Sequence, residues 1–599
     1  MPADGRSGRG GPLRTGVPRA GRRVSAAASA AAARTAPGTY GDRAAPAPPP
    51  HRFPGRDERD RLRRGAHRVL LGNWTGASTV PSHGLYPHQW SWDSAFIAVG
   101  LRHLSPVRAQ REVETLLGGQ WADGRIPHIV FNSRVPYGAY FPGPDFWRSS
   151  TAGAAALGGP GAPRCVETSG IVQPPVHALA AWLVHLADPA ASGRRGFLAR
   201  VRPRLAAWHR YLAERRDLGG GGLAATVHPW ESGMDNSPCW DGPLARVAPA
   251  PPGSFRRADL AHGAAADRPT DLDYGRYVAL AAAYRDHGYR DADAPHPFAV
   301  EDPSFNSLLI VSEYALGAMT RELGGDPAPH RERAATLTEA LMRRLWSADA
   351  GQFLCRDLRG EDGTGGRTGR VAGRGAAAGD APGGAQVALP GALVAERSAA
   401  GLVPLIAPGL PAHVTDALLR TVTGDHFGLG TRVRLLPSYD LRGPAFDPYR
   451  YWRGPAWFNV NWLLERGLRR CGASDHADAL RAGVLGAAAS SRFAEYLDPY
   501  TGTGRGTRDF SWTAALALDL LKGPDSGQEY GEEVQPGAIT SMSRAETPRE
   551  PPAPSSESPR HMSPAHEPPS NQSPPDPSPQ NSSPSPSPSP ESTESEEGP

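Results

Sequence analysis

Apolar residues recur three and four positions apart through 173–187, 199–213, 271–285, 305–323, 332–346, 455–469 and 475–489. That period is the one an amphipathic helix needs. In FNSLLIVSEYALGAMTREL it puts Phe305, Leu308, Leu309, Ser312, Ala315, Leu316 and Met319 on one side. Alternating runs of the β type are short and few. With the weaker segments counted, the pattern predicts about twelve or thirteen helices, joined by loops rich in Gly, Pro and aromatic residues. So many helices without a covering sheet predict an all-α body: six hairpins closed into a ring, or a solenoid. No stretch of 33–45 residues repeats, which disfavours the solenoid.

Composition limits how much of the 599 residues takes part. Gly 70 and Pro 63 are far above ordinary usage, and they collect in particular places. Residues 523–599 contain 19 Pro and no Leu, Phe or Trp. Stretches such as SPSPSPSPESTESEE cannot bury enough apolar surface to offset chain entropy, so a disordered Pro/Ser/Glu-rich tail is expected. Residues 1–54, rich in Arg, Gly, Ala and Pro, predict a disordered basic arm. GEDGTGGRTGRVAGRGAAAGDAPGG at 360–384 predicts a Gly-rich surface loop, because helical pattern resumes on both sides. One folded body over 55–522 remains.

Charge and cysteines exclude several classes. Lys+Arg 65 against Asp+Glu 61 leaves +4, too balanced for a dedicated nucleic-acid binder. Cys165, Cys239, Cys355 and Cys471 lie far apart with no CxxC, which argues against a disulfide framework or a zinc site. No EF-hand spacing occurs, and neither metal nor cofactor is expected. No run of 18 apolar residues offers a membrane span. GRRVSAAASAAAA has a twin arginine, but the Ala/Ser run behind it is weak for a signal. A cytoplasmic protein is expected, with no nucleic-acid or membrane partner and with homo-oligomerisation open.

Trp is concentrated in segments that are also dense in carboxylates, amides and Arg: LYPHQWSWDSAF (85–96), HPWESGMDNSPCWD (228–241), YWRGPAWFNVNW (451–462) and EYLDPYTGTGRGTRDFSWTAAL (495–516). The Trp-free ETSGIVQPPVHA (167–178) joins them. Each sits at a loop-to-helix junction, and in a helical ring such junctions gather on one face. An indole packs against the CH-rich face of a sugar, while carboxylates and amides pair with its hydroxyls. Cleaving a glycosidic bond takes two carboxyl groups, one to protonate the leaving oxygen and one to activate water or attack carbon. Asp93, Glu231, Asp235, Asp241, Glu495 and Asp498 are the candidates, and composition does not choose among them. Helix caps and turns are the competing role for each, and core packing is the competing role for each Trp.

In order and over about residues 60–520, these segments resemble glycoside hydrolase family 63, above all its compact bacterial branch of mannosylglycerate and glucosylglycerate hydrolases, and more distantly trehalases. ESGMDNSPCWD and EYLDPYTG are the specific matches. The resemblance implies an (α/α)6 barrel and an inverting mechanism on a small saccharide or glycoside, with Asp235 as general acid and Glu495 as general base. Such a pair stands about 6.5–9.5 Å apart, leaving room for one water. Asp235 is then expected to have a raised pKa, with Trp230 and Glu231 contributing, and Glu495 to remain a carboxylate. Tyr86, Trp90, Trp92 and Asp93 resemble the wall around the sugar, with Gln173, Tyr451 and Trp452 as further subsite residues. Trp512 is either subsite or core. Arg268 and Tyr274, in RPTDLDYGRY, match positions that contact a carboxylate in glycerate-cleaving members; a surface pair of Arg268 with Asp267 or Asp271 is the alternative.

The arm, the Gly-rich loop, the tail and Cys239 depart from the compact relatives. Two other classes are the alternatives. A sugar epimerase or isomerase on a similar barrel would shuttle protons through His88, His128, His177 or His228. A non-catalytic carbohydrate-binding or scaffold protein would have the tail as its functional element.

Overall fold

The computed structural model describes residues 52–153, 159–261, 265–360 and 391–523. Nearly all of the expected arm, Gly-rich loop and tail lies outside the described residues.

Hydrophobic pattern sorts the helices into two layers. In Ser91–Leu101 every residue is buried, and Pro303–Glu322, Phe458–Arg470 and Ser511–Lys522 are buried on almost every side. A helix apolar all round must be surrounded by protein. In Arg56–Gly72, by contrast, only the stripe Leu62, Gly65, Ala66, Val69 and Leu70 is buried. The first group packs side by side into a closed ring. Ser91–Leu101 touches His177–Ala187, which touches Pro303–Glu322. The next neighbour is the pair of 3-10 turns Ala399–Gly401 and Val403–Ile406, then Phe458–Arg470, then Ser511–Lys522, which returns to Ser91–Leu101. Five helices lie outside these: Arg56–Gly72, Pro106–Gly118, Phe197–Arg215, Ala328–Leu345 and Ser474–Ser490. A sixth, Ala412–Thr423, packs on the strand Gln352–Phe353. The body is an all-α (α/α)6 barrel.

The ring differs from a plain set of six hairpins in two ways. One inner position is filled by turns rather than a helix. The helix Asp271–Asp286 does form as its period predicts, but it stands outside the ring. It contributes Tyr274, Tyr277, Val278, Leu280, Ala281 and Tyr284 to a second apolar cluster with Trp90, Trp121, Trp147, Trp230 and Trp240.

Local chemistry sets the helix ends. Asp302 accepts the amides of Ser304 (2.7 Å) and Phe305 (3.2 Å) ahead of Pro303, satisfying N–H groups a helix start leaves open. Ser105 and Thr270 cap Pro106–Gly118 and Asp271–Asp286 in the same way. The periodic run from 173 becomes helical only at His177, because Pro174 and Pro175 keep the chain extended before it. Ring closure rests on a close backbone approach: a β-carbon on Gly100 would stand 2.3 Å from the backbone of Ala515.

Candidate active site

Two short antiparallel ladders bring the motif segments to one end of the barrel. Gln89–Trp90 pairs with Ile129–Val130, so Trp92 and Asp93 fall in the first turn of Ser91–Leu101. Opposite, Ala456–Trp457 pairs with Tyr496–Leu497, which pairs with Gly504–Arg505. Glu495 is the residue just before that ladder. Between the two lies a pocket lined by Tyr86, Trp90, Trp92, Asp93, Gln173, Asp235, Tyr451, Trp452, Glu495 and Trp512, together with Pro81, His128, Gly233 and Phe510. It encloses about 50 Å³, a handful of water sites at roughly 10–15 Å³ each, so it is a narrow well.

Glu495 is gripped by four donors. Its Oε1 accepts the hydroxyls of Tyr86 (2.8 Å) and Tyr451 (3.2 Å), and its Oε2 accepts the Thr507 amide (3.1 Å) and an Arg268 N–H (3.4 Å). The Arg268 guanidinium also donates to the Tyr86 oxygen (3.1 Å) and lies 4.5 Å over the Tyr451 ring. Burial, with the negative charge of Glu495 adding to it, holds the two phenols well above their ordinary pKa, so they stay protonated donors.

Asp235 follows a 3-10 turn, Pro229–Ser232, that ends in Gly233 at φ 71°. A β-carbon there would stand 2.5 Å from the Trp92 ring, so the close packing of acid loop against indole requires glycine. Tyr277 donates to the Asp235 carbonyl (2.9 Å). Burial pushes the Asp235 carboxyl up to about 7, with Glu495 adding to the rise and its own amide and Arg268 opposing it. Asp93 is raised too, by burial and then by the charges of Glu495 and Asp235. Three carboxyl groups therefore share one pocket, and two of them hold protons more tightly than a free aspartate.

The aromatic wall is continuous. Trp92 meets Trp512 edge-on at 5.6 Å, and Trp452 stacks on Trp457 at 3.8 Å and 3°. Gln173 lines the pocket while its Oε1 accepts the Trp92 amide (3.1 Å). Trp512, left open between core and subsite, does both: it is buried, and it faces the pocket.

Four expected residues do not line the pocket. Trp230 packs in the neighbouring aromatic cluster, stacked on His128 at 6.2 Å and 13°. Glu231 is fully buried, paired through both oxygens with Arg216 (2.7 and 2.8 Å), and it is not among the charges that shift Asp235. Tyr274 donates to the Phe141 carbonyl (3.2 Å). Arg268 sits behind the pocket wall on Glu495 and Tyr86. Its surface alternative is not found, since Asp267 pairs with Arg505 and Asp271 with Arg257. Asp241 pairs with Arg453 (2.8 Å), and Asp498 accepts the Tyr500 and Thr501 amides as a turn residue (2.9 Å each).

The histidines are held neutral. Burial lowers His88 and His228 to about 4 and His128 and His177 to about 3. His228 is fixed between the Tyr277 carbonyl and the Trp230 amide (2.9 and 3.0 Å), and His177 pairs with the Ser91 hydroxyl (2.9 Å). Only His128 of the four lines the pocket. Pro81, Gly233 and Phe510 were not foreseen as lining residues. Gly233 and Phe510 did carry a signal, lying inside ESGMDNSP and EYLDPYTGTGRGTRDFSWTAAL. Among the described residues, no group of three or more His, Cys, Asp or Glu side chains is arranged to hold a metal ion, and no helix is long and apolar enough to cross a membrane.

Residues 86–513 match the family model of the mannosylglycerate hydrolase MGH1-like glycoside hydrolase domain. The chain is 40% identical over 462 residues to a mannosylglycerate hydrolase of Rubrobacter radiotolerans, covering 76% of this chain and 96% of that protein. It is 38% identical over 464 residues to a glucosylglycerate hydrolase of Mycolicibacterium hassiacum, with 76% and 96% covered. The crystal structure of a family 63 mannosylglycerate hydrolase from Thermus thermophilus, in complex with Tris and D-glycerate, superposes with a TM-score of 0.65 at 37% identity, over 76% of this chain and 99% of that one. A narrow, Trp-walled, carboxyl-bearing well at one end of an (α/α)6 barrel thus accompanies a family match over residues 86–513, and the chain belongs to the mannosylglycerate hydrolase-like branch of glycoside hydrolase family 63.

Proposed function

We propose that the protein hydrolyses a small α-glycoside of glycerate, with mannose or glucose as the sugar, by an inverting mechanism in which Asp235 is the acid and Glu495 the base. The observation that carries this reading is that both carboxyls line one narrow pocket, one raised to about 7 and the other held by Tyr86, Tyr451, Thr507 and Arg268. As the bond from the anomeric carbon to the leaving oxygen breaks, Asp235 gives its proton to that oxygen. Water adds to the carbon from the opposite face and passes its proton to Glu495. The products are the free sugar and the aglycone, and the two carboxyls exchange their proton with solvent to reset.

Trp90, Trp92, Trp452 and Trp512 suit the faces of a pyranose, and Asp93 and Gln173 suit its hydroxyls. Arg268 uses two of its N–H groups on Tyr86 and Glu495, behind the wall those residues form, and its positive charge there suits the carboxylate of a glycerate entering on that side. The curated relatives supply the same substrate class by name. A cytoplasmic setting fits four cysteines with no disulfide between them.

The test is a panel of α-linked substrates that includes both glycerate glycosides, with proton NMR following the first anomer released. Release of the β-anomer is expected, and Asp235→Asn and Glu495→Gln each abolish turnover while leaving sugar binding. Release of the α-anomer first, or near-normal turnover in either variant, would overturn the assignment. Deuterium appearing on ring carbons in heavy water would favour epimerase chemistry instead.

A further inference from the structure

Resting on the reading of Asp235 as the acid, we infer that Glu231 is the positioning residue for Asp235, fixing the acid's loop against the wall that carries Gln173. Glu231 touches nothing in the pocket, yet its carboxylate collects four donors. Arg216 supplies two N–H groups (2.7 and 2.8 Å), the Val227 amide a third (2.7 Å) and the Val172 amide a fourth (3.2 Å). Val227 precedes the turn that leads to Asp235, and Val172 precedes Gln173, whose Oε1 holds the Trp92 amide. One buried group thus ties together the acid loop and the wall that carries Gln173.

The anchor is itself immobilised. Arg216 is fully buried and pairs through Nε with Asp291 (2.9 Å) and the Tyr211 hydroxyl (3.0 Å). From Glu231 to Asp235 the chain has little slack. The Ser232 hydroxyl donates to the Pro229 carbonyl (2.7 Å) and accepts the Met234 amide (3.0 Å), and the Met234 carbonyl accepts the Trp240 indole N–H (2.7 Å). Stability does not explain such a pair, since apolar residues of similar size usually hold a core as well or better. What the paired fork of guanidinium and carboxylate adds is direction. A general acid is useful only when its proton points at the leaving oxygen, and misplacement by about 1 Å costs on the order of a hundredfold.

The experiment compares two substrates that share the sugar: a glycoside with an ordinary alcohol leaving group, and the glycosyl fluoride, whose leaving group needs no proton. Glu231→Gln is expected to lower kcat on the glycoside about a hundredfold with KM moving less than about threefold, and to recover most of that loss on the fluoride. Asp235→Asn is measured beside it. If Asp235→Asn fails to recover on the fluoride, the assignment of the acid falls and this inference with it. If Asp235→Asn recovers while Glu231→Gln loses equally on both substrates, or loses on neither, the positioning role alone is overturned. Should Glu231→Gln fold poorly, Glu231→Gln with Arg216→Gln removes the stranded cation and still lacks the carboxylate, and the same split is expected.

Discussion

The Tyr86 hydroxyl donates to Oε1 of Glu495 at 2.8 Å, on the oxygen that also takes the Tyr451 hydroxyl. A hydrogen bond to a charged group contributes about 1.5–3 kcal/mol. Tyr86→Phe removes the bond and keeps the ring, so kcat is expected to fall about ten- to hundredfold, with stability falling by no more than about 3 kcal/mol. Steady-state kinetics beside a thermal melt check this; an unchanged kcat would mean that Tyr451, Thr507 and Arg268 hold the base without help.

The raised Asp235 carboxyl predicts how activity and stability follow pH. The acid must carry its proton, so kcat/KM is expected to decline as pH rises through about 7. Stability has the same sign. The folded carboxyl binds its proton more tightly than the unfolded one, so folding loses free energy as pH rises from the unfolded value toward about 7. Asp235→Asn removes that loss. Its melting temperature should exceed the parent's by a margin that grows between pH 4 and 7 and then levels, and a margin constant with pH would contradict the burial of this group.

Gly233 adopts φ 71°, and a β-carbon there meets the Trp92 ring. Gly233→Ala is expected to cost about 1–3 kcal/mol for the left-handed backbone and to push Trp92 and Asp235 apart. Turnover should fall much further than stability does. Equal, small losses in both would show that the loop yields without disturbing the indole.

Gly100 predicts the opposite balance. A β-carbon there strikes the Ala515 backbone, where two inner helices touch. Overpacking of this kind costs about 1–3 kcal/mol, and more where backbone cannot move. Gly100→Ala should therefore lower the melting temperature, while the protein that remains folded keeps its KM. Calorimetry and kinetics on the same preparation separate the two effects.

Much of this was legible in the chain, for identifiable reasons. Helices such as Pro303–Glu322 carry their period on residues that the core then buries, so their position and ends follow from pattern and caps. The pocket walls were legible because Tyr86, Trp90, Trp92, Asp93, Asp235, Tyr451, Trp452 and Glu495 crowd into segments of unusual composition. Direction was not legible. Glu231 and Asp235 are four residues apart in one motif, yet a 3-10 turn and a left-handed Gly233 send the first into the core and the second into the pocket. Nor does apolar spacing say which layer a helix joins: Asp271–Asp286 has a good period and stands outside the ring, while Ala399–Ile406, interrupted by Pro404, holds a place within it.

That substitution of turns for a helix has a mechanical consequence. Five staves of the barrel are laced by continuous hydrogen-bond ladders, whereas the sixth relies on short local bonds such as Leu405 to Leu402 and Ala407 to Pro404. Opening it breaks few bonds and unwinds no helix. Buried as those turns are, their amide protons are expected to exchange before those of the five helical staves, an order that hydrogen exchange reads directly.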